Sequence, residues 1–183
     1  IRIALLIVLQ LPAWAVAVRQ EMGPGSVDTR SHKFFGRRAG KDSAIGVPKC
    51  MTTQITRIRE ESRWTLLQVG PLLLLSLHAE VARNQRSLAT LRVTMQEISQ
   101  TMHAWKRGRK PWVQAVMGID ANVQLPSDVE GHTSDWVYQS WARTRPIKRA
   151  HAEVLMEFMM EWRLKAANTF SPPADKGPQR FTW

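Results

Sequence analysis

Between Pro71 and His78 the chain reads Pro-Leu-Leu-Leu-Leu-Ser-Leu-His, with leucine at 72, 73, 74, 75 and 77. In an extended chain successive side chains point to opposite faces, so this run is apolar on both. Only a central strand covered on both sides buries such a sequence, and it cannot serve as an edge. The chain must therefore build a layered structure around at least one sheet.

The rest of the pattern fits that requirement. Short runs rich in β-formers at His32–Arg37, Ser43–Val47, Gln54–Arg59 and Trp64–Val69 are separated by turn residues and predict further strands. Leu88, Leu91, Met95, Ile98, Met102 and Trp105 recur at three- and four-residue steps, the stripe of an amphipathic helix that stops at Gly108. Trp112–Met117 predicts another buried strand, running into Gly118-Ile119-Asp120-Ala121-Asn122, and Ile147–Leu164 a second amphipathic helix. Helices alternating with strands predict an α/β or α+β layered domain with a mixed sheet. With 183 residues and 44% hydrophobic content, the chain has enough apolar side chain for one domain or most of one.

Composition removes several function classes. A lone cysteine, Cys50, excludes a disulfide framework and a Cys-rich zinc site. It also removes the deaminase reading that His78-Ala79-Glu80 and His151-Ala152-Glu153 invite, since that chemistry needs a paired-cysteine arm. No glycine-rich nucleotide loop occurs. The formal net charge of +11 belongs to a folded surface and points to a polyanionic partner.

Residues 1–18 are apolar enough to suggest a signal peptide or membrane span. Arg2, Gln10 and Pro12 interrupt them, whereas a span needs about 20 apolar residues. The expectation is a helical piece around Ile3–Leu11 followed by a short strand around Trp14–Val18, and no membrane association. The chain opens at Ile1 without an initiator Met and stops at Phe181-Thr182-Trp183 within strand-like sequence, so a fragment of a larger fold is expected.

Three apolar strands end in polar residues: Glu21, His78, and Asp120 with Asn122. Ligand and catalytic groups gather at the carboxyl ends of strands in layered α/β proteins, where a buried strand body fixes side chains that reach solvent. Asp120 and Asn122, two apart, share one side of an extended chain. A carboxylate there can hold a divalent metal or orient a water, and the neighbouring amide can donate to a phosphate oxygen. An Asx-rich turn after a strand accounts for the same two residues. Glu21 reads as a metal ligand or a solvated carboxylate, and His78 as a phosphoryl donor, an acid, or a hydrogen-bonded core histidine. Asp128, Glu130, His132 and Asp135 read as solvated surface.

Gln20-Glu21 after a strand, Ser76-Leu77-His78-Ala79 at the end of a later one, and Gly118-Ile119-Asp120-Ala121-Asn122 at the end of a third together resemble the endonuclease/exonuclease/phosphatase superfamily, the deoxyribonuclease-I-like fold. Asn168-Thr169-Phe170 and the terminal Thr182-Trp183 resemble its retroelement-type branch. The resemblance implies a four-layer sandwich of two mixed β-sheets with helices outside, and a Mg²⁺-dependent phosphodiesterase, with Mn²⁺ as a substitute ion. Under it Glu21 and Asp120 match the metal-binding and water-orienting carboxylates, Asn122 the phosphate-holding asparagine, and His78 the residue contacting the phosphate or leaving oxygen.

Residues 1–183 then form a partial domain, missing the first strand and the last catalytic strands with their general base, and inactive alone. Ile119 departs from the family's usual context after Gly118. The implied substrate is DNA rather than RNA, and the implied location intracellular, in the nucleus for a retroelement endonuclease. A phosphatase or lipid phosphodiesterase of the same fold, or an inactive binding domain, stands as the alternative. The basic runs Lys106-Arg107-Gly108-Arg109-Lys110 and Arg143, Arg145, Lys148, Arg149 suit a phosphate backbone, or merely solubilise a loop and a helix start. They are read as lacking interleaved aromatics for base stacking.

Overall fold

The computed structural model describes residues 3–4, 17–19, 30–36, 43–123, 125–126, 129–133 and 145–166. The chain divides into two compact units. One comprises Ile1–His78 and Trp105–Asp120, the other Ala79–Ala104 and Ala121–Trp183.

The first unit holds two β-sheets. Strands β1 (Ile3–Ala4), β2 (Ala17–Arg19), β3 (His32–Phe35) and β4 (Ala44–Pro48) form a four-stranded sheet in the order β1-β2-β4-β3. A short 3-10 helix, Lys49–Gln54, leads into β5 (Ile55–Glu60), β6 (Trp64–Val69) and β7 (Leu72–His78); β8 (Gln114–Asp120) completes the second sheet in the order β5-β6-β7-β8. The two-sheet α+β architecture follows the expectation, with one difference. The first sheet is antiparallel throughout its described pairs, and only the second is mixed, through the parallel β7–β8 pair.

Burial explains this order. Leu73, Leu74, Leu75 and Leu77 are all 2% exposed or less, as a strand held between β6 and β8 requires. Fully burying each such side chain stabilises the fold by about 1.5–3 kcal/mol. Ile45 and Val47 of β4 pack with Leu67 and Val69 of β6 and with Leu72 and Leu74 of β7, and Val116 of β8 lies against the same cluster. This cluster is the inter-sheet core, and it defines one face of β7 and β8. The hairpin from β6 to β7 turns on Gly70 and Pro71, with Val69 opposite Leu72. Gly70 takes φ +55°, which glycine adopts without the Cβ clash of other residues, and Pro71 cannot donate where no ladder bond is needed.

Two sequence expectations are corrected here. Ile3 and Ala4 belong to a strand paired with β2, not to a helix; the remaining residues of that stretch lie largely outside the described ones. Trp112–Met117 is not a second two-sided buried strand. The strand begins at Gln114, is half-buried along most of its length, and stands at the end of its sheet among the described residues. Its neighbour β7 took the fully buried place with leucine at 72, 73, 74, 75 and 77, whereas β8 offers Gln114 and the small Ala115 and Gly118.

The second unit contains most of α1 (Gln85–Lys106) and all of α2 (Pro146–Glu161). Leu88, Leu91, Met95, Ile98 and Met102 are the buried stripe of α1, and Val154, Leu155, Phe158 and Met159 that of α2. Ser87 Oγ meets His151 Nε2 at 3.2 Å, and twelve residues further along α1 Ser99 Oγ donates to Glu161 Oε2 at 2.6 Å. Contact advances in the same sense along both helices, so they run parallel. The N-terminus of α1 is closed by a reciprocal capping box. Ser87 N donates to Asn84 Oδ1 at 3.0 Å while Asn84 N donates to Ser87 Oγ at 3.1 Å, satisfying two amides that the helix leaves open. Pro146 starts α2, where its missing N–H costs nothing. No helix among the described residues is long and apolar enough to cross a membrane.

Candidate functional site

The parallel register of β7 and β8 runs from Leu72 opposite Gln114 to His78 opposite Asp120. Parallel neighbours end on the same side, so their last residues emerge together. His78 shares its strand face with Ser76 and Leu74, and Asp120 with Gly118 and Val116. Leu74 and Val116 belong to the inter-sheet core, so His78 and Asp120 stand on that face, at its carboxyl-end rim.

His78 Nε2 lies 3.9 Å from Asp120 Oδ2, with the side chains 20% and 24% exposed. This separation is too long for a direct hydrogen bond, but a single oxygen atom can bridge it by bonding to both groups. His78 is anchored through its backbone, His78 N donating to Arg63 O at 2.9 Å. One pleat back, Ser76 Oγ is fully buried and has no hydrogen-bond partner among the described residues. A buried hydroxyl without a partner is costly, and here it faces the same way as the histidine.

Asn122 is placed differently from the sequence argument. The strand ends at Asp120, and Asn122 takes φ +51°. Alternation along an extended chain therefore does not carry through to it. Within the second unit its Nδ2 donates to Ala79 O at 3.0 Å. The backbone bends after the strand, as the reading of an Asx-rich turn has it, and this long-range bond ties down the residue that follows His78. Asparagine tolerates this left-handed backbone better than other non-glycine residues do.

Glu21 lies outside the described residues, as do Asp128, Asp135, Arg143, Asn168-Thr169-Phe170 and Thr182-Trp183. Among the described residues no group of three or more His, Cys, Asp or Glu side chains is placed to hold a metal. Asp120, a partly exposed carboxylate at a strand end, is a donor of the hard-oxygen kind that a Mg²⁺ ion accepts singly while keeping waters. His132, expected as solvated surface, is instead half-buried in the second unit. Its Nδ1 is 2.7 Å from Leu164 O, and its own carbonyl accepts from Ala166 N at 2.9 Å.

The basic loop is flanked by aromatic rings that take up two cations. Trp105 and Trp112 bracket it in sequence, and both hold cations. Lys106 Nζ sits 4.1 Å from the Trp112 ring centroid, and Arg57 Cζ 5.9 Å from that of Trp105. The aromatics next to the charge run were visible in the sequence, and their pairing with cations is what sequence reading missed.

The chain matches no protein-family model, and comparison with curated proteins finds no match.

Proposed function

We propose that this chain carries the phosphate-handling strands of a metal-dependent phosphodiesterase, most simply an endonuclease acting on DNA in the manner of the retroelement-type branch of the endonuclease/exonuclease/phosphatase superfamily. The observation that carries the reading is the meeting of His78 and Asp120 at matched positions on the carboxyl ends of parallel strands, 3.9 Å apart at the rim of a two-sheet core. The order of the strand-end motifs along the chain supports it.

In this reading Asp120 accepts a hydrogen bond from the attacking water and orients its lone pair toward phosphorus. His78 donates from Nε2 to a non-bridging or leaving oxygen, countering charge as it develops there. The buried body of β7 fixes the position of His78, and the Asn122-to-Ala79 bond holds the chain immediately after it. Asp120, together with Glu21, would hold the ion, which when bound supplies electrostatic stabilisation of the phosphoryl oxygens. The net charge of +11 suits a polyanionic substrate.

The test is Mg²⁺-dependent nicking of supercoiled plasmid by the full-length protein. Loss of nicking on Asp120→Ala and on His78→Ala, with unfolding unchanged, is the expected result. Nicking at wild-type rates in both variants overturns the reading, and hydrolysis confined to small phosphoesters moves the substrate assignment to the phosphatase class.

A further inference from the structure

The Lys106–Lys110 loop sits at the amino end of β8, whereas Asp120 closes its carboxyl end. Val113 N donates to Pro71 O at 2.7 Å, which fixes the loop beside the start of β7. Seven residues of strand at about 3.3 Å each separate the loop from Asp120 by roughly 20 Å. That is about twice the Debye length at physiological salt, so charge in the loop has little effect on the strand-end rim. The loop is a separate feature with its own partner.

Its conformation is fixed by the first unit. Gln68 Nε2 donates to Lys110 O at 2.8 Å, Arg57 Nη1 to Trp105 O at 2.8 Å, and Lys106 Nζ to Trp112 O at 3.3 Å. Gly108 leaves room for the Arg57 guanidinium, which a Cβ there would displace. Arg57 and Lys106 are thus occupied by ring faces and carbonyls. Arg107, Arg109 and Lys110 are exposed, and among the described residues none of the three is paired with a carboxylate. Three cations are held out to solvent on a loop already ordered, so little entropy is lost on binding.

We infer that Arg107, Arg109 and Lys110 form an anchoring patch for the phosphate backbone of double-stranded nucleic acid, remote from the strand-end site and independent of it. The guanidinium forks of the two arginines match phosphate oxygens bidentately. Trp112 is 6% exposed and already covered by Lys106, so its ring is not open to bases and the contact is sequence-independent. A membrane-surface patch would set several exposed apolar or aromatic side chains among its cations; here Val113 is the exposed large one beside the loop. The choice of nucleic acid among polyanions rests on the phosphodiesterase reading.

The test is fluorescence anisotropy of the full-length protein with a labelled duplex of about 40 base pairs in EDTA, long enough to span both regions at about 3.4 Å per pair. Replacing Arg107, Arg109 and Lys110 together by alanine is expected to weaken binding on the order of 10- to 100-fold at low salt and to lower the slope of log K against log salt by about 2–3. A charge-preserving set (Arg107→Lys, Arg109→Lys, Lys110→Arg) is expected to keep the wild-type salt slope and to bind more tightly than the alanine set, and circular dichroism melting to be unchanged in all. Unchanged affinity and slope in the alanine set overturn the patch, as does preferential binding of phosphatidylserine vesicles over duplex. If plasmid is nicked while the slope does not change, the patch fails and the nuclease reading stands. If the loop binds duplex and no nicking occurs, the patch stands and the nuclease reading fails.

Discussion

Ser87 Oγ and His151 Nε2 lie 3.2 Å apart in the seam between α1 and α2, and both residues are buried. The serine oxygen already accepts N–H groups from Arg83 and Asn84, each at 3.1 Å. Its lone pairs are therefore committed to the capping box, and a second imidazole N–H would find it crowded.

Acid is predicted to loosen this seam. Desolvation holds the His151 pKa below its ordinary value of 6.5, opposed by the Glu80 charge and the nearby Glu80 backbone. The native state therefore binds fewer protons than the unfolded state once the pH falls to the unfolded pKa. Stability is fully present above about pH 6.5, declines as the pH falls below it, and stops declining below the native pKa. His151→Gln keeps an amide partner for Ser87 without a titrating ring. Denaturation midpoints from about pH 5 to 7.5 should fall more steeply in wild type than in this variant. Parallel profiles would count against the neutral buried histidine.

Asp120→Asn tests charge apart from shape. It preserves volume and hydrogen-bonding capacity but removes the negative charge 3.9 Å from His78 Nε2. Plasmid nicking by the full-length protein should drop on the order of 10²–10³-fold, with the melting temperature nearly unmoved because the side chain is partly exposed. A drop in activity accompanied by a large melting shift would instead indicate a structural role.

Leu74→Ala should be severe. Leu74 is 2% exposed and lies in the inter-sheet cluster with Ile45, Val47, Leu67 and Val69. Truncation leaves a cavity that two sheets cannot close without shifting register, and about 2–5 kcal/mol of stability should be lost in urea titration. A loss below about 1 kcal/mol would mean that this core collapses more readily than interdigitated sheets ordinarily do.

Arg163→Gly should stabilise. Helix α2 ends in a Schellman arrangement, Leu164 N donating to Met159 O at 2.8 Å and Arg163 N to Met160 O at 3.2 Å. That geometry puts Arg163 at φ +52°, a backbone state glycine enters without a Cβ penalty. The substitution should add about 0.5–1 kcal/mol, seen as a rise in melting temperature. A fall would mean that the arginine side chain contributes more than its backbone strain costs.

The parts of this fold legible in the sequence are those set by short-range pattern. The leucines of β7, the bounds of β6 at Trp64–Val69 and the stripe from Leu88 to Met102 each follow from periodicity alone, because a strand or helix has one way to bury such a face. What escaped depends on partners distant in the chain. Whether a strand is central or terminal depends on how many neighbours it has, so the apolar run of β8 predicts a buried strand where the structure has a half-buried one at the end of its described sheet. The Ser87–His151 seam joins residues far apart in sequence, and no local rule announces it. At the strand ends the pairing of His78 with Asp120 agrees with motif order, whereas the placing of Asn122 beside Asp120 assumed an extended chain where the backbone turns to φ +51°.

The second sheet also has a history written into its order. Strands β5, β6 and β7 are joined by tight turns and can pair as soon as they are synthesised. Strand β8 must instead wait for residues 79–113, including all of α1, before it can dock in parallel beside β7. Closing that long crossover carries the larger entropic cost and the slower step. Contact order therefore predicts that the β5–β7 meander pairs before β8 docks, and that His78 meets Asp120 only in the finished sheet.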